Sequence, residues 1–174
     1  MTSYAGTSVP VERSQKAIRD LLLKQGARGL QFSEDFDARR INLRFAMEVE
    51  GILRTVSVSA VIPEPPGLGK HRTTRRWSHG TYHSTTKTDH DRWAQSERAT
   101  YRALHYWLKT SFEAVDFGLF SMTDMFLSHF EWMVKGHATT VGALIKPYLP
   151  VGGNLLKAPA VAEAIEGELM PDEP

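Results

Sequence analysis

The chain has 174 residues, 41% of them hydrophobic and 24% charged, which suits one domain with a buried core. It contains no cysteine, so disulfides, thiolate nucleophiles and sulfur-ligated zinc are excluded. No apolar run approaches the ~20 residues that cross a bilayer. The opening MTSYAGTSVPVERS lacks the charged-then-apolar order of a secretory signal, so a cytoplasmic location and no membrane partner are expected.

The net charge of +1 conceals a division. Glu163, Glu166, Glu168, Asp172 and Glu173 all follow Lys157, and no Lys or Arg does. The residues up to Lys157 therefore carry 21 basic and 15 acidic side chains. A basic body with an acidic tail fits a polyanionic partner, a tail that screens the body, or a solubilising terminus.

Residues 1–10 read as a flexible lead ending at Pro10. Ser14 is placed to cap a helix that buries Ile18, Leu21 and Leu22 and stops at Gly26. Leu30 and Phe32 predict a short strand, and SEDFDA a turn. Two alternating runs follow, with Ile41, Leu43, Phe45 and Met47 inward, then Val56, Val58, Ala60 and Ile62 inward with Thr55, Ser57 and Ser59 outward. Joined through Glu48 to Gly51, they predict a β-hairpin. Pro63, Pro65, Pro66, Gly67 and Gly69 end it and open a long basic loop over 63–89.

Thr88 or Asp89 caps the next helix, expected near 90–117, with the seam Trp93, Tyr101, Leu104, Trp107, Leu108, Phe112 and Val115. Gly118 stops it. Ser121 and Asp124 resemble a capping box for a helix over 121–135 that carries Met122, Met125, Phe126, Phe130 and Met133 and ends at Gly136. Thr140 starts a helical turn through Val141, Leu144 and Ile145, broken at Pro147. Residues 160–167 predict a last helix in an acidic tail, 151–174.

The expected fold class is α+β: a single domain over 1–150. In it a three-stranded antiparallel sheet, made of the hairpin and a short strand, packs against an N-terminal helix and a long central helix, with small C-terminal helices.

The loop segment KHRTTRRWSHGTYHSTTKTDHDR, residues 70–92, sets six basic residues against two aspartates, with four histidines, Trp77 and Tyr82 interleaved. On the long helix Arg98, Arg102, His105 and Lys109 recur at three- and four-residue steps and line one side. Such spacing lets cations meet successive phosphates, while Arg72, Arg75 and Arg76 add charge and Trp77 a stacking ring. Arg40 and Arg44 sit on the hairpin's polar face. All three sources are expected to border one groove for nucleic acid. The bland reading is a solvated face in which Lys109 pairs with Glu113.

His79 and His83 stand four apart, near His71, Asp89, His90 and Asp91, but Gly80 and the Thr/Ser-rich surroundings argue against a helical metal site, and the expected glutamate is missing. No metal or cofactor is expected. Glu97, within the aromatic arc of the long helix, is a candidate general acid. The simpler reading places it as a negative charge near the helix N-terminus. No Gly-rich phosphate loop, nucleophile elbow or paired-carboxylate motif is present, and no catalytic residue is assigned. Should Met125, Phe126, Trp132 and Met133 stay uncovered, a homo-oligomer or a host protein becomes the expected partner.

VPVERS at 9–14 and ERATYRALHYWLKTSFEAVDFG at 97–118 resemble a group of small uncharacterised proteins encoded in tailed-phage and prophage genomes. The similar positions are Arg98, Tyr101, Arg102, Ala103, Leu104, Lys109, Phe112, Glu113, Ala114, Val115 and Gly118, where Tyr101 replaces the group's usual Trp. Asp124, Phe126, Leu127, His129 and the turn at Thr140, Val141 and Gly142 continue the likeness, which spans roughly residues 7–147. The resemblance implies a phage setting, in a host cell, and no site. In layout, a helix, three antiparallel strands and a long basic helix are also similar to the core of single-strand annealing proteins. Double-stranded-RNA-binding domains share the element order, with a shorter loop before the last helix.

Overall fold

The computed structural model describes residues 4–69 and 88–149. The chain divides into two compact units, Met1–Phe126 and Leu127–Pro174. Most of the basic loop, the acidic tail and the helix expected over 160–167 lie outside the described residues.

The first unit opens with helix α1, Val11–Lys24, which buries Ser14, Ile18 and Leu22. The helix begins three residues before Ser14, with Pro10 at its N-cap and the Ser14 amide bonded to the Pro10 carbonyl at 3.2 Å. Ser14 is thus a buried residue of the first turn and not the expected cap, and its Oγ has no partner. At the other end Gly26 adopts φ 81°, and the amides of Gly26 and Ala27 reach back to the carbonyls of Leu23 and Leu22. Only glycine enters that left-handed conformation without cost, which is why the helix stops there.

Strands β1 (Gly29–Asp35), β2 (Arg40–Val49) and β3 (Ile52–Val61) form one antiparallel sheet in the order β1-β2-β3. Glu50 and Gly51, both at positive φ, make the two-residue turn that right-twisted strands favour. The register pairs Phe45 with Val56 and Leu43 with Val58, so one face gathers Ile41, Leu43, Phe45, Met47, Val56 and Val58, all buried. The other carries Arg40, Asn42, Arg44, Thr55, Ser57 and Ser59.

Helix α2, Asp89–Asp116, is 28 residues long and covers the apolar face with Tyr101, Leu104, Leu108 and Phe112. Thr88 caps it: its hydroxyl accepts from the Asp91 amide at 3.1 Å while the Asp91 carboxylate accepts from the Thr88 amide at 3.0 Å. Gly118 at φ 71° ends it as predicted. Gln15 meets Tyr101 near one end of α1 and Gln25 meets Asp116 at the other, so α1 and α2 run in the same direction. The short helix α3, Met122–Phe126, delivers Phe126 against Phe45, Trp107 and Phe112, with ring centroids 6.1, 5.9 and 5.3 Å away. Each such ring or branched aliphatic side chain stabilises the fold by about 1.5–3 kcal/mol on burial. The first unit is therefore the α+β layer expected from the sequence.

The segment before α1 differs from expectation. Tyr4 and Thr7 close a turn (Thr7 amide to Tyr4 carbonyl, 3.0 Å), and the segment lies against α2.

The helix expected over 121–135 is corrected: it stops at the end of the first unit, and the second unit continues otherwise. The Ser121–Asp124 capping box is present, with the Asp124 amide 3.0 Å from Ser121 Oγ, but α3 ends after five residues. A 3-10 turn, Leu127–His129, leads into the hairpin β4 (Glu131–Val134) and β5 (His137–Thr140). Lys135 and Gly136, at φ 50° and 82°, form its two-residue turn. Thr140 then caps α4, Val141–Ile145, as the sequence indicated.

Candidate nucleic-acid interface

The buried seam of α2 fixes where its other residues point. Tyr101, Leu104, Leu108 and Phe112 face the sheet and α1, so Arg98, Arg102, His105 and Lys109 fall together along a flank of the helix beside that seam. Gln95 and Tyr106 continue the same row.

Arg98 donates through Nη2 to Gln95 Oε1 at 2.7 Å. Arg102 donates through Nη2 to the Tyr106 hydroxyl at 2.8 Å, and its guanidinium carbon lies 4.5 Å from the centroid of that ring. Among the described residues, no carboxylate forms an ion pair with either arginine. Lys109 does pair, with Glu113 at 3.5 Å, and both side chains are about half exposed. Such a surface pair is worth about 0–1 kcal/mol and yields readily to a competing anion.

His105 is half-buried, packs edge-on against Tyr106 at 5.3 Å, and its Nδ1 has no partner. Its pKa is lowered, first by burial and then by the charges of Arg102 and Lys109. The fields of these two cations therefore add at one place on the flank.

The sheet arginines are elsewhere. Arg44 stands between Gln31 and Ser57, and Arg40 between Asp35 and Val61, on the face opposite the one that α2 covers. A shallow depression of about 230 Å³, lined in part by Gly29, Gln31, Arg44 and Thr55, marks that face. Hairpin and helix thus do not border the single groove anticipated from sequence. A helix that seals the apolar face of a sheet shares no channel with the polar face. Arg72, Arg75, Arg76 and Trp77 lie outside the described residues, as do His71, His79, His83 and Tyr82.

Among the described residues no group of three or more His, Asp or Glu is placed to hold a metal ion. The carboxylates that border the histidine loop serve the backbone: Asp89 accepts from the Gly69 amide at 3.2 Å and Asp91 completes the Thr88 cap.

A second polar cluster forms where α1, β1 and α2 meet. The buried Tyr101 donates to Glu34 Oε1 at 2.6 Å and accepts from Gln15 Nε2 at 3.0 Å. Burial and the bond to Glu34 push the phenol's pKa far up. Glu97, one turn earlier, has a raised pKa because it is desolvated and because Glu34 lies near; Arg98 acts in the opposite sense. Glu97 is well beyond the first turn of α2, where Asp89 and Asp91 sit, so the helix-end account of it does not hold. The cluster satisfies the hydroxyl of a buried tyrosine, a role that sequence reading missed and that the need of a buried phenol for a partner foreshadows. Comparison with family models, curated proteins and solved structures finds no match to this chain.

Proposed function

We propose that the chain binds nucleic acid through its phosphates, with little base specificity, using the cationic flank of α2. The observation that carries this reading is what Arg98 and Arg102 hydrogen-bond to, an amide oxygen and a phenol; Glu97, whose carboxyl feels the charge of Arg98, forms no ion pair with it. A neutral partner orients a guanidinium without cancelling its charge, so two cations one helical turn apart remain set for successive phosphates. Arg72, Arg75, Arg76 and Trp77, which precede α2 in the chain, supply further charge and a ring on the same reading. Arg40 and Arg44 belong to a second surface. The likeness to phage-encoded proteins supports an accessory factor acting in a host cell, with single-strand binding or annealing the role it fits. Binding of single-stranded and duplex DNA and RNA, titrated against salt, tests the proposal. Each phosphate contact adds about −0.7 to −0.9 to the slope of log affinity on log salt. A flat slope, or no binding to any of the four polymers, rejects it.

A second reading, a protein-interaction module, is favoured by the corner after α2. Phe117, Leu119 and Phe120 are 82%, 70% and 53% exposed, an apolar density that seldom faces water without a partner. Trp132 and Met133, 50% and 64% exposed, extend the same argument in the second unit, on strand β4 and not on a helix. Light scattering of the wild type and of a Phe117→Ser, Phe120→Ser pair separates the two: loss of a dimer with unchanged DNA affinity supports the interaction module.

A further inference from the structure

The row that carries the arginines is already occupied. The Tyr4 ring lies on the Tyr106 ring with centroids 5.1 Å apart and planes 9° apart, an offset stack. One and three residues further on, the Ala5 and Thr7 carbonyls accept from Gln95 Nε2 at 3.0 Å and 2.8 Å. A flat ring on Tyr106, followed at once by acceptor oxygens against Gln95 and beside Arg98, is also what a nucleotide offers: a base, then phosphate oxygens.

Resting on the reading of the α2 flank given above, we propose that Tyr106 is a base-stacking platform for single-stranded nucleic acid. Residues 4–9 form a strap that holds this platform shut with Tyr4 in the place of the base. Three features argue for it. Tyr106 brings its own cation, since Arg102 bonds its hydroxyl and sits 4.5 Å from its centroid, where the phosphate of a stacked nucleotide would be neutralised. The strap has no backbone partner on α2 or in the sheet; its amides bond within the strap, Thr7 to the Tyr4 carbonyl and Val9 to Thr7 Oγ1. It can therefore leave without breaking a ladder. When it leaves, the Gln95 amide is released as a donor next to the Arg98 guanidinium, and both then face the ligand. Unstacked bases are the ligand class selected, because a duplex presents its bases already stacked on one another.

The test uses the full chain, a fluorescent 20-nucleotide oligodeoxythymidylate and a 20-base-pair duplex. Tyr4→Ala opens the platform and is expected to tighten oligothymidylate binding by about tenfold, with a smaller gain for the duplex. Adding Tyr106→Ala to it removes the gain. Tyr4→Phe keeps the stack and behaves as wild type, and thermal melting confirms that each variant is folded. In the wild type, oligothymidylate accelerates amide exchange at Thr7 and Val9, whose amides are hydrogen-bonded in the closed strap. The strap is overturned if the wild type binds and Tyr4→Ala binds no tighter, a result that leaves the nucleic-acid reading standing. Equal gains for oligothymidylate and duplex overturn the platform, because Tyr4 then only screens charge. No binding by either wild type or Tyr4→Ala overturns both.

Discussion

Glu97 and Tyr101, one turn apart on α2, both have pKa values raised by burial, which disfavours the charged form of each. Glu97 is desolvated and faces Glu34, so its pKa lies above the ordinary 4.5. A carboxyl whose folded pKa is raised stabilises the fold below its ordinary value, and the contribution fades as pH rises through the raised one. At neutral pH its charge is a net cost. Glu97→Gln is therefore expected to raise the melting temperature at pH 7.5 and to change it little at pH 4, as followed by circular dichroism. An equal gain at both values contradicts the assignment. At the same scale, Phe126 fits between Phe45, Trp107 and Phe112 with no exposed surface. Phe126→Ala should cost about 3–5 kcal/mol in urea denaturation, the range for emptying a buried ring site.

Among the elements, those whose stop and start signals are local were legible. Gly26 and Gly118 end α1 and α2 in left-handed conformations, Thr88 and Asp91 form the cap of α2, and the alternation of Ile41 to Met47 against Val56 to Ile62 fixes the faces of the hairpin. The residues over 121–135 were not, because their apolar positions do not decide between helix and strand. Met122, Met125 and Phe126 fit a helix, while Trp132, Met133 and Val134 form a short unbroken apolar run that suits a helix or a strand equally. The deciding signal was the Lys135–Gly136 pair, which at positive φ closes a hairpin and does not end a helix. Gly142 carries a related prediction for the second unit. A Cβ there would lie 2.7 Å from the Ser128 carbonyl oxygen, so α4 packs against the Leu127–His129 turn only with glycine at that position. Gly142→Ala should cost about 1–3 kcal/mol and speed exchange of the Val141 amide, which bonds the Phe130 carbonyl at 3.0 Å. Unchanged exchange would mean that the backbone shifts without loss.

For the molecule as a whole, the question is where its basic excess acts. The helical spacing of Arg98, Arg102, His105 and Lys109 was enough to find the cationic flank. It was not enough to find Gln95, Tyr106 and Tyr4, whose roles depend on a segment folding back over 90 residues of chain. Arg40 and Arg44 were misplaced relative to α2 for a simple reason: α2 follows the apolar face of the sheet, and alternation puts those arginines on the other. No helix among the described residues is long and apolar enough to cross a membrane. The most direct test compares the wild type with the Arg98→Ala, Arg102→Ala, Lys109→Ala triple variant. Affinity for a single-stranded oligonucleotide is measured from low to moderate salt, with thermal melting as the check on folding. The account predicts that the slope of log affinity on log salt becomes shallower by about 2; a folded triple variant with the wild-type slope would contradict it.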